Sequence, residues 1–502
     1  MTPQPSWSAD QPAPNRGEPR ELTLAVGAPA HGGHCVARPV DDPGGRVIFV
    51  RHALPGETVR ARLTEMTSRT WRADAVEILQ ASPDRVESVW PDAGPAGVGG
   101  GELAHVALDA QRTWKRWVLA DCLRRIGGQE VADAVASLPE ASGAAAVPIE
   151  PMPTDAAAQA STSARRRALA GTATRTRVSL TVTDDGEPGM HAFRSGTVLP
   201  LRRLPLAVDA ITEIGLLERS RWRAHYRPGM RIEAIAPSGG EPVVLLDERL
   251  LTAQARITGR RRVREVVDAS ALGLGELTYS VHAEGFWQVH VDAPRVLVER
   301  VVHGALGEDL EGAADSRVLE LYSGAGLFTL PLAALVGSGG EVVSLEGNEQ
   351  AVRDARRTLH DHPTARLASG RVSARSVREL AGSFTGGRPD VVVLDPPRQG
   401  AGREVIEAVG ALGTERIVLV ACDPAALARD LGTLLRSGYA LSSMSALDMF
   451  PHTHHFETIV VLERSWTGDV SGVACARRHQ MRLTGAGPRA GFGQPSLRID
   501  NG

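Results

Sequence analysis

Four short apolar runs between residues 294 and 465, alternating with helical stretches, limit the folds open to this chain. They are Arg317-Val-Leu-Glu-Leu-Tyr, Glu341-Val-Val-Ser-Leu-Glu, Val391-Val-Val-Leu-Asp and Arg416-Ile-Val-Leu-Val-Ala-Cys. Helices are expected around Val296 and over Leu327–Leu335, Asn348–His360 and Arg403–Leu412. A strand that is apolar on both faces must be covered on both, and a helix between successive strands does this. The expectation is a doubly wound parallel sheet, with ligands gathered beyond the carboxyl ends of its strands.

The rest of the chain reads differently. From Glu21 to about Ala81, apolar residues recur in period two between Gly and Pro punctuation, which suits a small β-barrel of the OB type. Residues 84–104 read as a loop, 105–126 as a helix stopped by Gly127-Gly128, and 140–164 as a mobile Ala/Ser/Pro-rich loop. Alternation returns from Arg175 to about Asp268, a central β-rich region. The resulting division is a disordered tail over 1–18, a barrel over 19–82, the loop, helix and β-rich region over 83–282, the α/β domain over 283–465, and a second disordered tail over 466–502.

Composition excludes several classes. With 502 residues, 42% hydrophobic and 23% charged, the chain is that of a soluble protein with several domains. No apolar run approaches roughly 18 residues, and Met1–Pro14 has no apolar segment, so neither a membrane span nor a secretory signal is expected. A net charge of −3 leaves any RNA contact to local patches. Lys115 is the sole lysine, so nearly all of the 56 basic residues are arginines, as genomic codon bias would produce. The four cysteines, Cys35, Cys122, Cys422 and Cys475, lie far apart with no C-x-x-C pair. A disulfide framework and a cysteine-held metal site are not expected, and a reduced cytoplasm is the natural setting.

Four motifs carry chemistry. In Glu320-Leu-Tyr-Ser-Gly-Ala-Gly-Leu-Phe-Thr, a glycine turn between strand and helix lets a ligand approach the backbone. Thr329 stands where the dinucleotide fingerprint has its third glycine, which disfavours a dehydrogenase. Glu346, at the end of the next strand, is placed to accept ribose hydroxyls; together they suit an adenosine-type cofactor without a pyrophosphate. In Asp395-Pro-Pro-Arg-Gln-Gly, two prolines stiffen the loop that holds the acid and Arg398. Cys422 ends a strand just before a helix N-terminus, where the helix dipole favours a thiolate nucleophile. In Phe450-Pro-His-Thr-His-His-Phe-Glu-Thr, the histidine spacing fits no metal site, and Glu457 faces solvent or is held as a base.

The four motifs, in this order from about Ala283 to Arg464, resemble the RNA 5-methyluridine methyltransferases that use S-adenosylmethionine. Gly32-Gly33 followed by Phe49-Val-Arg-His-Ala-Leu-Pro-Gly-Glu resembles a TRAM domain, the RNA-binding barrel of many members. The resemblance implies a Rossmann-like class I methyltransferase domain behind the barrel and the central β-rich region. It implies Cys422 as nucleophile and Glu457 as proton-abstracting base. It implies Gln288, within Gly285-Phe-Trp-Gln-Val-His, and Tyr322, Glu346 and Asp395 as cofactor contacts, with no metal. Members with an iron–sulfur cluster carry cysteines after the barrel; here the stretch is Gly97-Val-Gly-Gly-Gly-Glu-Leu-Ala-His, so no cluster is expected. Ala-Cys-Asp-Pro also replaces the Asn-Pro of many relatives. The implied partner is RNA, 23S rRNA rather than tRNA, bound by a cytoplasmic monomer. Arg165–Arg167, Arg175, Arg177 and Arg260–Arg262 are candidate phosphate contacts. A methyltransferase with another substrate and a noncatalytic RNA-binding protein are the alternatives.

Overall fold

The computed structural model describes residues 21–310, 313–385 and 387–465; the tails assigned to 1–18 and 466–502 lie outside them. Strands Glu21–Ala30, His34–Pro39, Ile48–Arg51, Trp71–Gln80 and Thr58–Met66 pair in that spatial order and close on themselves as a barrel. Their alternation puts Leu24, Ile48, Val50, Val59 and Ala61 in its interior.

The segment after the barrel is buried architecture rather than open loop. Trp90, Ala93 and Val98 join the apolar core of a six-stranded antiparallel sheet built from residues 177–252. Gly101 permits this packing: a side chain there would meet the Ala93 Cβ at 2.7 Å and the Trp90 ring at 2.9 Å. The helix read over 105–126 runs from Leu108 to Cys122 and continues as a wider turn to Gly127; Gly128, at φ 89°, ends it. Residues 140–164, expected to be a mobile loop, contain the strand Ile149–Pro151 and the helix Pro153–Gln159. Ile149 and Met152 are buried, and Asp155 accepts the Gly171 amide and pairs with His290, which fixes this stretch.

The main sheet has eight strands. Its order is Ala365–Ser369, Glu341–Glu346, Arg317–Leu321, Val391–Leu394, Arg416–Ala421, Glu457–Arg464, Tyr439–Asp448 and Ile149–Pro151. The first five are mutually parallel, and Glu457–Arg464 runs against them. Each strand feeds both faces. Val418 and Val420 join one core with the helix Ala293–Leu306, while Ile417 and Leu419 join another with the helix Pro424–Arg436. Among the described residues, no helix is long and apolar enough to cross a membrane.

Candidate active site

Five adjacent strands end at one edge of the sheet, and each brings a polar side chain there. Register aligns Leu345, Leu321 and Leu394, so Glu346, the last residue of its strand, is level with Tyr322 and Asp395, the first residues beyond theirs. On the other side Ala421 pairs with Thr458, so Cys422 stands opposite Glu457. Thr458 Oγ1 donates to the Ala421 carbonyl at 2.8 Å and pins this pairing. At strand spacings of about 4.8 Å, the row from Glu346 to Glu457 spans about 19 Å.

The Glu346 end is a shaped cradle. Glu346 accepts the Gly324 amide at 3.0 Å and the Asn348 amide at 2.6 Å, so the glycine turn and the strand end are one unit. The turn demands unusual backbone: φ is 65° at Tyr322, 54° at Gly324 and 87° at Gly326. A Cβ on Gly324 would meet nothing within 4 Å, so the turn faces open space, whereas one on Gly326 would touch Ala355 at 3.3 Å. Glu320, fully buried beneath the turn, accepts from the Thr329 hydroxyl, and its other oxygen has no partner. Burial pushes its pKa up to about 8. A carboxylate beside a glycine turn that faces open space suits the ribose and amino-acid groups of an adenosine-type cofactor.

Gln288 lies on the loop after the strand Glu276–His282. Arg177 grips that loop through the Gly285 carbonyl at 2.7 Å, and the Thr176 amide donates to the Val289 carbonyl. Tyr279 of the same strand donates to the Leu327 carbonyl at 3.0 Å, tying it to the chain just past the glycine turn. Tyr322, Glu346 and Asp395 thus share one sheet edge, while Gln288 comes from a separate loop.

The Cys422 end is electrostatically unlike the sequence reading. A helix N-terminus was expected to favour the thiolate. Instead burial, then the charges of Glu457 and Asp395, push the thiol up to about 12, with Arg398 opposing. Asp423 caps the helix through the Ala426 amide at 2.8 Å and so takes up part of the helix's positive end. Burial also raises Asp395 to about 7. Glu457 is 6% exposed and held well above the usual carboxylate range by burial and by Asp395. This edge resists negative charge until something positive arrives.

Several neighbours were not visible as partners in the sequence. The barrel's first hairpin reaches the cleft that holds the thiol: His31 Nε2 lies 2.8 Å from Asp423 Oδ2, and His31, Gly32, Val118, His454 and His455 line the cleft with Cys422. Of the histidine cluster, His452 contacts Gln111 and His454 lies 3.6 Å from Glu102. Three candidate phosphate contacts have other work. Arg175 bonds the Gly100 carbonyl, and Arg177 bonds Ala283, Gly285 and Glu265. Arg262 pairs with Asp354.

Comparison with known proteins agrees with this architecture. The family described as tRNA (Uracil-5-)-methyltransferase matches residues 275–465, and the TRAM domain matches residues 18–76. An uncharacterized RNA methyltransferase of Streptomyces avermitilis is 38% identical over 473 residues, covering 89% of this chain and 99% of its own. The 23S rRNA (uracil(1939)-C(5))-methyltransferase RlmD of Acinetobacter baumannii is 29% identical over 456 residues, 87% of this chain and 92% of its own. Among solved structures, Pyrococcus abyssi tRNA (uracil-54, C5)-methyltransferase in complex with S-adenosyl-L-homocysteine has a TM-score of 0.58 at 20% identity, covering 88% of this chain and 99% of that one; it shares the fold. With the barrel, the glycine cradle and the matched family in place, the chain belongs to the S-adenosylmethionine-dependent RNA uracil-C5 methyltransferases that carry an N-terminal TRAM domain.

Proposed function

We propose that the protein methylates C5 of a uridine in 23S rRNA through a transient bond between Cys422 Sγ and C6 of the base. The carrying observation is the order of groups along the sheet edge: Glu346 and Tyr322, then Asp395, then Cys422 facing Glu457. The ribosomal reading is supported by the Acinetobacter relative, which matches across most of both chains.

Uracil C5 is a poor nucleophile. Addition of the Cys422 thiolate at C6 forms the C6–S bond and moves the C5=C6 electron pair into an enolate, which makes C5 nucleophilic. S-adenosylmethionine, when bound, supplies an electrophilic methyl on a positively charged sulfur. C5 takes that methyl as the methyl–sulfur bond breaks with its electron pair left on sulfur, a neutral thioether, and C5 still carries its proton. Glu457 then removes the proton; the C5–H pair re-forms C5=C6, the C6–S bond breaks, and Cys422 leaves as thiolate. Only the carboxylate can accept that proton, so Glu457, whose ionisation burial and Asp395 disfavour in the ligand-free protein, must ionise in the loaded site, where its raised pKa makes it the stronger base. Ionisation of Cys422, whose pKa is about 12 in the ligand-free protein, is thereby tied to loading of the site. The base must leave its stack to reach the cleft.

The reading is tested with purified protein, labelled S-adenosylmethionine and unmodified transcripts of 23S rRNA and tRNA, followed by mapping of the modified nucleotide. Label at C5 of one 23S uridine is expected; label confined to tRNA, or at another atom, refutes the substrate. For the cofactor, Glu346→Ala should weaken S-adenosylhomocysteine binding by about 1–3 kcal/mol, the cost of a charged hydrogen bond left unmade. Calorimetry checks this, and unchanged affinity removes Glu346 from the site.

A further inference from the structure

Glu457 is delivered by the eight-residue loop 449–456, which joins the strands Tyr439–Asp448 and Glu457–Arg464. That loop is gripped by side chains from more than 300 residues earlier. Lys115 is fully buried, pairs with Asp448 at the loop's start, and donates to the Phe450 carbonyl at 3.1 Å. Gln111, also fully buried, accepts the His452 amide at 2.7 Å. Its amide nitrogen donates to the Val106 carbonyl at 2.8 Å and lies 3.1 Å from His452 Nδ1. The Leu103 amide donates to the His452 carbonyl at 2.9 Å, so both main-chain groups of His452 are held from outside the loop. His452 needs such restraint, because its φ of 65° is a conformation that side chains disfavour.

A buried lysine and a buried glutamine are costly groups to keep, and a merely apolar helix face would pack as well. Here both address one loop, and that loop ends at the buried Glu457. We propose that Gln111 and Lys115 are positioning residues for proton abstraction: they hold the loop so that the Glu457 carboxylate meets the C5 proton. This rests on the proposed role of Glu457. Cys422 is carried by a different strand, and the loop meets its cleft through His454 and His455, past the gripped Phe450 and His452, so addition to C6 depends less on this grip than delivery of Glu457 does. Loosening the loop should therefore slow the last step and spare the earlier ones.

The test follows the RNA–protein adduct on denaturing gels, with labelled S-adenosylmethionine reporting methyl transfer in a single turnover. Three variants are compared with wild type: Glu457→Gln, Gln111→Leu, and the paired change Lys115→Met with Asp448→Asn, which leaves no unpaired buried charge. Far-ultraviolet circular dichroism reports folding, and two independent loop variants guard against one failing to fold. Expected for both is near-normal adduct formation and methyl transfer, with adduct decay slowed by up to about 100-fold, as a misplaced catalytic group produces. Glu457→Gln should hold adduct longer still. If Glu457→Gln holds none, the role of Glu457 is wrong, and the inference falls with it. If Glu457→Gln holds adduct while folded loop variants release it at the wild-type rate, or lose formation and decay in parallel, positioning by Gln111 and Lys115 is refuted.

Discussion

Cys422→Ala is expected to lose methyl transfer by several orders of magnitude, below detection in a labelled transcript assay, while still binding S-adenosylhomocysteine. Without the thiolate nothing raises the electron density of C5, so the loss belongs to the chemical step and not to binding. Wild type should be trapped on RNA containing 5-fluorouridine, because fluorine at C5 cannot leave as a proton. Cys422→Ala should give no trapped band with either RNA. Glu457→Gln should methylate once and stay attached, since an amide cannot take the C5 proton. Combining the two changes should abolish the band, because the bond that Glu457 breaks is the one Cys422 makes. Retained turnover in Cys422→Ala would mean that another atom of the RNA is methylated.

A second large effect concerns stability. Glu320 is fully buried with one oxygen unpartnered, and its pKa is about 8 against 4.5 for the free side chain. The folded form prefers the neutral acid. Its stabilising contribution is complete below about pH 4.5 and is lost as pH rises towards 8, because the unfolded chain ionises first. Asp395, raised to about 7, and Asp430, raised to about 6, act in the same direction. At about 1.4 kcal/mol per pKa unit, Glu320 alone accounts for a loss on the order of 5 kcal/mol. Denaturant unfolding of the ligand-free protein should show stability falling over this range, and Glu320→Gln should remove much of the slope. An unchanged slope in that variant would show that Glu320 ionises freely.

What the sequence made legible follows from periodicity. Strands such as Val391–Leu394 and Arg416–Ala421 are apolar on both faces and announce themselves. The edge strand Ala365–Ser369 is half-exposed and carries Arg366, and Tyr439–Asp448 is rich in serine, so neither stands out. Ile149–Pro151 is a strand because a neighbour offers it an open edge, which local pattern cannot reveal. The site divides in the same way. Glu346, Asp395 and Cys422 are readable because strand ends of such sheets hold ligands. That Cys422 faces Glu457 is a matter of antiparallel register, fixed only when Ala421 meets Thr458. The thiol's pKa escaped prediction because it depends on burial and then on acids brought in by other strands. His31 touches Asp423, and Gln111 touches His452, across separations of several hundred residues that no spacing rule spans.

The burial of Lys115 has a practical side. It is the only lysine in 502 residues, and its ammonium is sealed between a helix and a loop. Reagents that seek side-chain amines, such as activated esters and bifunctional cross-linkers, find none on the folded surface, and enzymes that acylate lysine meet the same barrier. Histidines such as His31 aside, the outward positive charge of the side chains is guanidinium, which presents planar forks to phosphate and base edges rather than point charges. Acylation of Lys115 must wait for the helix Leu108–Cys122 to part from the loop before Glu457. The extent of its labelling is then a clock for that opening, read from the single lysine-bearing peptide.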